Sequence, residues 1–225
     1  MGAWPEAFEN GEQAFTESDI MVQVKDEQPT VVPPADRLAN KVALITGGTR
    51  GIGLAVAKAY AREGARIVIA ARDKKELNAA SEEIKKAGGE VVAARIDLNS
   101  REAADSLYTG AVRAFGNIDI LVNNAGVLGP RVPIVEYEVQ DWENVMRTNL
   151  DSVYWLTRAV LGMMIPASRG SIINVISGLA YKGKANWGAY SVSKAALLNF
   201  TEVLADELQK HNVRVNAINP GPTRT

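Results

Sequence analysis

The feature that constrains this chain most is a short unbroken apolar run, Val42-Ala43-Leu44-Ile45, that passes through Thr46 straight into Gly47-Gly48-Thr49-Arg50-Gly51-Ile52-Gly53. An apolar run without polar alternation is the mark of a strand covered on both faces, which calls for a parallel sheet with helices packed on each side. The residues that follow agree. Ile52, Ala55, Val56 and Ala59 recur at i, i+3, i+4 and i+7, the spacing of one helical stripe, and Gly64 supplies a left-handed stop.

The same alternation continues to the end of the chain. Strand 67–71 leads to a helix opened by Asp73 with Glu76 three residues later, its stripe Leu77, Ala80, Ile84 and Ala87 closed by Gly88 and Gly89. Strand 91–96 precedes a helix capped by Ser100, with Ala104, Leu107, Ala111 and Phe115 facing inward. Strand 119–122, a long helix over about 141–165, strand 171–177, a helix over about 190–210 and strand 213–218 complete six strands and five helices. Parallel strands need such crossovers, and their right-handed sense predicts a doubly wound α/β sheet of Rossmann type in the order 3-2-1-4-5-6. Ligands then bind at the carboxyl ends of the strands, in the loops after Ile45, Ala71, Ile96, Val122, Ile176 and Ile218.

Composition removes several chemistries. The chain of 225 residues has no cysteine and one histidine, His211, so thiolate nucleophiles, disulfides and a His/Cys metal cage are out, and no metal ligand is expected. The longest apolar stretch, 159–167, is nine residues with Pro166 inside it, far short of the ~20 that a membrane span needs. Residues 1–40 hold eight acids against Lys25 and Arg37, so the acidic extension leaves a mildly positive body. That suits an anionic small ligand better than nucleic acid, for which a denser basic stripe is required.

The extension 1–40 has no sustained period and carries Pro5, Pro29, Pro33 and Pro34. It reads either as a loosely held tail or as an arm packing on a neighbouring subunit through Trp4, Phe8 and Phe15. It has neither the basic start and apolar core of a secretory signal nor the Arg-rich, acid-poor character of a transit peptide, so the expected location is the cytoplasm.

In the first loop, Gly47 permits the tight turn, Gly51 lets backbone approach a pyrophosphate at the helix start, and Gly53 permits close helix packing. Four further motifs follow in order: Asn123-Asn124-Ala125-Gly126 at the end of the fourth strand, Ser177 thirteen residues before Tyr190, Tyr190-x-x-x-Lys194, and Pro220-Gly221 after the sixth strand. Over 41–225 the sequence resembles the short-chain dehydrogenases/reductases, in the single-domain branch of 3-oxoacyl-[acyl-carrier-protein] reductases and related carbonyl reductases.

The resemblance implies hydride transfer between nicotinamide and a carbonyl or secondary alcohol, with Asn149, Ser177, Tyr190 and Lys194 as the catalytic set. Tyr190 and Lys194 lie at i and i+4, on one helix face. A free tyrosine, with a pKa near ~10, is a poor acid/base at neutral pH, and a nearby lysine cation favours the phenolate. By the resemblance Tyr190 exchanges the proton, Lys194 also holds the nicotinamide ribose, Ser177 orients the carbonyl, and Asn149 supports a water chain to the lysine. Asn149 also reads as a polar helix residue bonding locally.

The implied cofactor residues are Gly47, Thr49, Arg50, Gly51, Ile52 and Gly53; Arg72; Asp97 and Leu98; Asn123, Ala125 and Gly126; Tyr190 and Lys194; and Pro220, Gly221, Thr223 and Thr225. Asn123 would stabilise the central strand. Asp97 reads equally as an adenine contact or as a cap for the following turn. Because the second strand ends in Ala71-Arg72 rather than an acid, with Arg50 on the same side, the expected cofactor is NADP(H). The other reading has Arg72 solvated and Asp73 on an NAD ribose. Loops 127–139 and 178–188 would shape an apolar pocket, and Arg131, Lys182 and Lys184 are either exposed charges or a positive rim for a carrier-bound 3-oxoacyl thioester. A non-catalytic NADP-binding subunit is the alternative function. Relatives continue past the Pro-Gly loop with a helix and a seventh strand, absent here, so weak cofactor binding, little turnover and aggregation are expected of these 225 residues, and a homodimer or homotetramer of a longer chain.

Overall fold

The computed structural model describes residues 36–223, so the expectations for Trp4, Phe8, Phe15 and Thr225 lie outside the described residues. Six parallel strands form one sheet: β1 Val42–Thr46, β2 Arg66–Ala71, β3 Val91–Arg95, β4 Ile120–Asn123, β5 Gly170–Val175 and β6 Val213–Ile218. Their order is β3-β2-β1-β4-β5-β6, the doubly wound arrangement predicted from the crossovers. β1 is buried along its whole length and sits in register between Arg66–Ala70 of β2 and Ile120–Val122 of β4. Such a strand has no solvent side, which is why its residues do not alternate.

Helices α1 Gly51–Arg62 and α2 Lys74–Lys86 cover one face, where Ala43, Ile45, Ile67 and Ile69 pack against Ala57, Ala61, Leu77 and Ile84. On the other face Leu44, Val68, Leu121 and Ile172 meet α3 Arg101–Phe115, α5 Ser152–Met164 and the end of α6 Gly188–Glu207 through Leu107, Phe115, Leu156, Val160 and Leu204. Asp73 caps α2 by accepting from the backbone of Lys75 and Glu76, and Ser100 caps α3 by accepting from Ala103, as the sequence signals require. Across the amino ends of the strands, the Asp119 carboxylate accepts from Val42 N at 3.0 Å and from the Asn117 amide at 2.8 Å, which ties β4 to β1.

Two expectations are corrected. The buried face of α1 is Gly53, Ala57 and Ala61 rather than the stripe Ile52, Ala55, Val56 and Ala59; Ala55 and Ala59 are exposed. The packing contact of Gly53 against the glycine loop sets the rotation, and small residues below it let the helix lie close to the sheet. The helix expected as continuous over 141–165 is broken into α4 Val139–Met146 and α5 by a π-helical turn, Arg147–Asp151, centred on Asn149. Residues 36–40, counted with the extension, form a turn fastened to the end of α1 by Leu38 N to Glu63 O at 2.8 Å and an Arg37–Glu63 ion pair.

Candidate active site

The glycine loop is clipped to the end of β4. Gly47 and Gly51 have φ of +62° and +51°, a region that a side chain disfavours. A Cβ on Gly53 would lie 2.2 Å from the Gly47 carbonyl oxygen, so helix and loop touch backbone to backbone. The Thr46 hydroxyl accepts from Asn124 N at 3.1 Å and Ala125 N at 3.0 Å, while the Asn124 amide donates to the carbonyls of Thr46 and Gly47, each at 3.0 Å. Asn124 and Thr46 were not among the sequence candidates. Their signal was the doubled asparagine at a strand end, where alternation sends one side chain into the core and leaves the next at the carboxyl edge.

Asn123 is the inward one. Its amide donates to Asn174 Oδ1 at 2.9 Å and Thr157 Oγ1 at 3.2 Å, fully inside the core, so it braces β4 against β5 and α5 and does not line the cleft. Pro220, Gly221 and Thr223 follow β6 as an exposed turn in which Gly221 N donates to Asn219 Oδ1. His211 lies at the opposite end of β6, away from the cleft.

A cleft of about 380 Å³ opens over the carboxyl ends of β1, β2 and β3. Gly47, Thr49, Arg50, Gly51, Ile52, Arg72, Asp97, Leu98, Ala125 and Gly126 all line it, which gathers loops from four strands around one space. The chain's groups fit a dinucleotide there. Glycine backbone without Cβ faces the helix start, and two guanidiniums, Arg50 and Arg72, are exposed with no ion pair among the described residues. The Asp73 carboxylate is turned to the start of α2.

Beyond Gly126 the catalytic candidates converge. A Cβ on Gly126 would sit 3.2 Å from Asn149 Oδ1 and 3.6 Å from Lys194 Nζ. Lys194 is buried and donates to Val175 O at 2.7 Å; its Nζ lies 5.8 Å from the Tyr190 ring centroid. Burial pushes the ammonium down to about 8. Asn149, presented by the π turn, accepts from Val127 N at 2.8 Å and donates to Val127 O at 2.9 Å and Ser193 Oγ at 3.0 Å. Ser193 in turn donates to the Tyr190 carbonyl at 2.7 Å. A single side chain thus holds the loop after Gly126 against the helix that carries Tyr190 and Lys194. Ser177 stands just past the end of β5, half-buried, its hydroxyl accepting from Leu179 N at 3.3 Å.

The two pocket loops also meet. Arg131 lies over the Trp187 ring at 4.5 Å, Trp187 and Tyr190 have ring centroids 6.0 Å apart, and Gly188 leaves room for Ile134. Lys182 and Lys184 are exposed on the second loop.

This fold and this set of residues define a nicotinamide-dependent oxidoreductase of the Rossmann type. A family model for short chain dehydrogenase matches residues 41–225, and the chain belongs to that family. Among its relatives, a 3-oxoacyl-[acyl-carrier-protein] reductase of Chlamydia pneumoniae is 37% identical over 184 residues, covering 82% of this chain and 74% of that one. Gluconate 5-dehydrogenase of Gluconobacter oxydans is 34% identical, covering 84% and 73%. Among solved structures, a metagenomic short-chain oxidoreductase in complex with NADP superposes with a TM-score of 0.79 at 39% identity, covering 82% of this chain and 84% of that one. An NAD+-bound xylitol dehydrogenase gives 0.79 at 36% identity, covering 82% and 71%. No helix among the described residues is long and apolar enough to cross a membrane.

Proposed function

We propose that the chain interconverts a carbonyl and a secondary alcohol using NADP(H), with Tyr190 as the acid/base. The observation that carries this reading is the convergence of Lys194 Nζ, Asn149 and the Gly126 backbone beside the Tyr190 ring. When bound, the nicotinamide supplies or accepts the hydride. Tyr190 delivers the proton to the substrate oxygen in reduction and takes it up in oxidation. Ser177 donates to the same oxygen and polarises it. Lys194 would bring a positive charge to the phenol and would hold the ribose, and Asn149 ties the loop after Gly126 to the helix that carries both side chains.

The preference for NADP(H) is supported by Arg50 and Arg72 at the mouth of the cleft, by Ala71 rather than an acid at the end of β2, and by the engagement of Asp73 in the α2 cap. A charge-assisted bond contributes roughly 1.5–3 kcal/mol, enough for about tenfold or more discrimination per arginine. A 3-oxoacyl thioester is the substrate to try first, since relatives carry that name and Arg131, Lys182 and Lys184 offer a positive rim. The reading includes a cytoplasmic location and a homo-oligomer. An apolar groove between α5 and α6, lined by Tyr154, Leu161, Ile165 and Phe200, supports assembly.

The test is steady-state turnover with a panel of carbonyls, both reduced cofactors, and Tyr190→Phe, in a chain continued past the Pro-Gly loop with the helix and seventh strand expected there. The expected result is turnover with NADPH that the variant loses by about a thousandfold while its cofactor affinity is retained. Cofactor binding with no turnover on any carbonyl would instead identify a non-catalytic NADP-binding subunit.

A further inference from the structure

Five charged residues line the cleft: Arg50, Arg72, Asp73, Glu76 and Asp97. Asp73 is committed to the start of α2, and Asp97 follows β3 on the far side. Glu76 is different. At the third position of α2 a glutamate commonly folds back on its own cap residue. Here its carboxylate reaches 27 residues back in sequence, across the cleft, and accepts from the Thr49 hydroxyl of the glycine loop at 2.9 Å. The same space is bordered by the two unpaired guanidiniums.

We infer that Glu76 is a cofactor-specificity residue: tethered over the glycine loop by Thr49, its negative charge opposes the 2′-phosphate that Arg50 and Arg72 attract, and it offers an acceptor to an unphosphorylated ribose. This rests on the reading of the cleft as the nucleotide site. The charge acts by simple Coulomb repulsion on a phosphate that carries more than one negative charge, and, being exposed, it acts through a screened medium. Glu76 therefore trims the discrimination between the two cofactors and does not abolish it. The Thr49 bond sets where the charge sits, so the hydroxyl and the carboxylate form one device.

Calorimetric titration of NADP+ and NAD+ into the 225-residue chain tests this without any substrate. Glu76→Gln keeps an acceptor for Thr49 and removes the charge. The expected result is NADP+ binding about three- to tenfold tighter, NAD+ binding unchanged or weaker, and a gain that shrinks as salt is raised. Thr49→Val, which frees the carboxylate but keeps the charge, should move the ratio of the two dissociation constants by less. A ratio in Glu76→Gln equal to that of the unaltered chain overturns the inference. Tighter binding of NAD+ than NADP+ by the unaltered chain defeats the arginine reading, and leaves the shift caused by Glu76→Gln as a separate result.

Discussion

Lys194 donates from Nζ to the carbonyl of Val175 at 2.7 Å, fastening the helix that carries Tyr190 to the end of β5, two residues before Ser177. One buried contact thereby fixes the relative position of three catalytic candidates. It also takes the ammonium out of water, and that has consequences for pH.

Burial lowers Lys194 from 10.5 to about 8, so between these values the unfolded chain binds a proton that the folded chain has released. Stability contributed by this group is lowest below about 8 and rises with pH through that window. On the proposed role of Lys194 as a charged donor to the ribose, cofactor affinity runs the other way. We predict that kcat/KM for NADPH falls as pH passes about 8, and that Lys194→Met lacks the step. A wild-type profile flat to pH 10 would contradict the burial argument.

Asn149 uses both amide protons and its oxygen, pairing with the N–H and the C=O of the same residue, Val127, and with Ser193. Truncation to alanine leaves the Val127 N–H and C=O without their side-chain partner, and because both are only part-buried the cost lies toward the lower end of the ~1–3 kcal/mol of a buried unsatisfied group. Asn149→Asp should be at least as damaging, since it sets oxygen against the Val127 carbonyl. Urea unfolding measures both, and an aspartate variant as stable as the parent would show that the amide donor bonds are not needed.

Gly53→Ala forces a methyl group to 2.2 Å from the Gly47 carbonyl and 2.6 Å from the Asn124 amide. Neither is the loose end of a flexible side chain. Overpacking of this kind costs ~1–3 kcal/mol. Directed at the loop that faces the cofactor, it should weaken NADPH binding by about ten- to hundredfold. Protein fluorescence titration reads this, and unchanged affinity would mean the loop yields freely.

Tyr137 carries a buried hydroxyl with no hydrogen-bond partner among the described residues, beside Gly129 and Val145, while its ring packs edge-on to Trp142. Burial and the charge of Asp141 both raise its pKa. Removing the oxygen removes an unpaid desolvation of ~1–3 kcal/mol. Tyr137→Phe should therefore leave the melting temperature unchanged or raise it, whereas a clear drop would reveal a partner for the hydroxyl.

Local pattern was enough for the strands, for the helices other than the one expected unbroken over 141–165, for the caps Asp73 and Ser100, and for the parallel order, because periodicity, capping chemistry and crossover handedness act within one or two elements. The motif spacing put forward Tyr190, Lys194, Ser177 and the glycine loop as site candidates. Tertiary structure alone decided the rest. The buried face of α1 follows from where Gly53 meets Gly47, not from the count of apolar residues. The π turn at Asn149 brings its amide onto the N–H and C=O of Val127 on another loop. Asn123 turns inward and Asn124 clasps Thr46, a division set by the pleat of β4 among its neighbours. Glu76 reaches Thr49 only once α2 lies beside the glycine loop. Contacts between residues distant in the chain depend on how whole elements pack, and no local window of sequence contains that information.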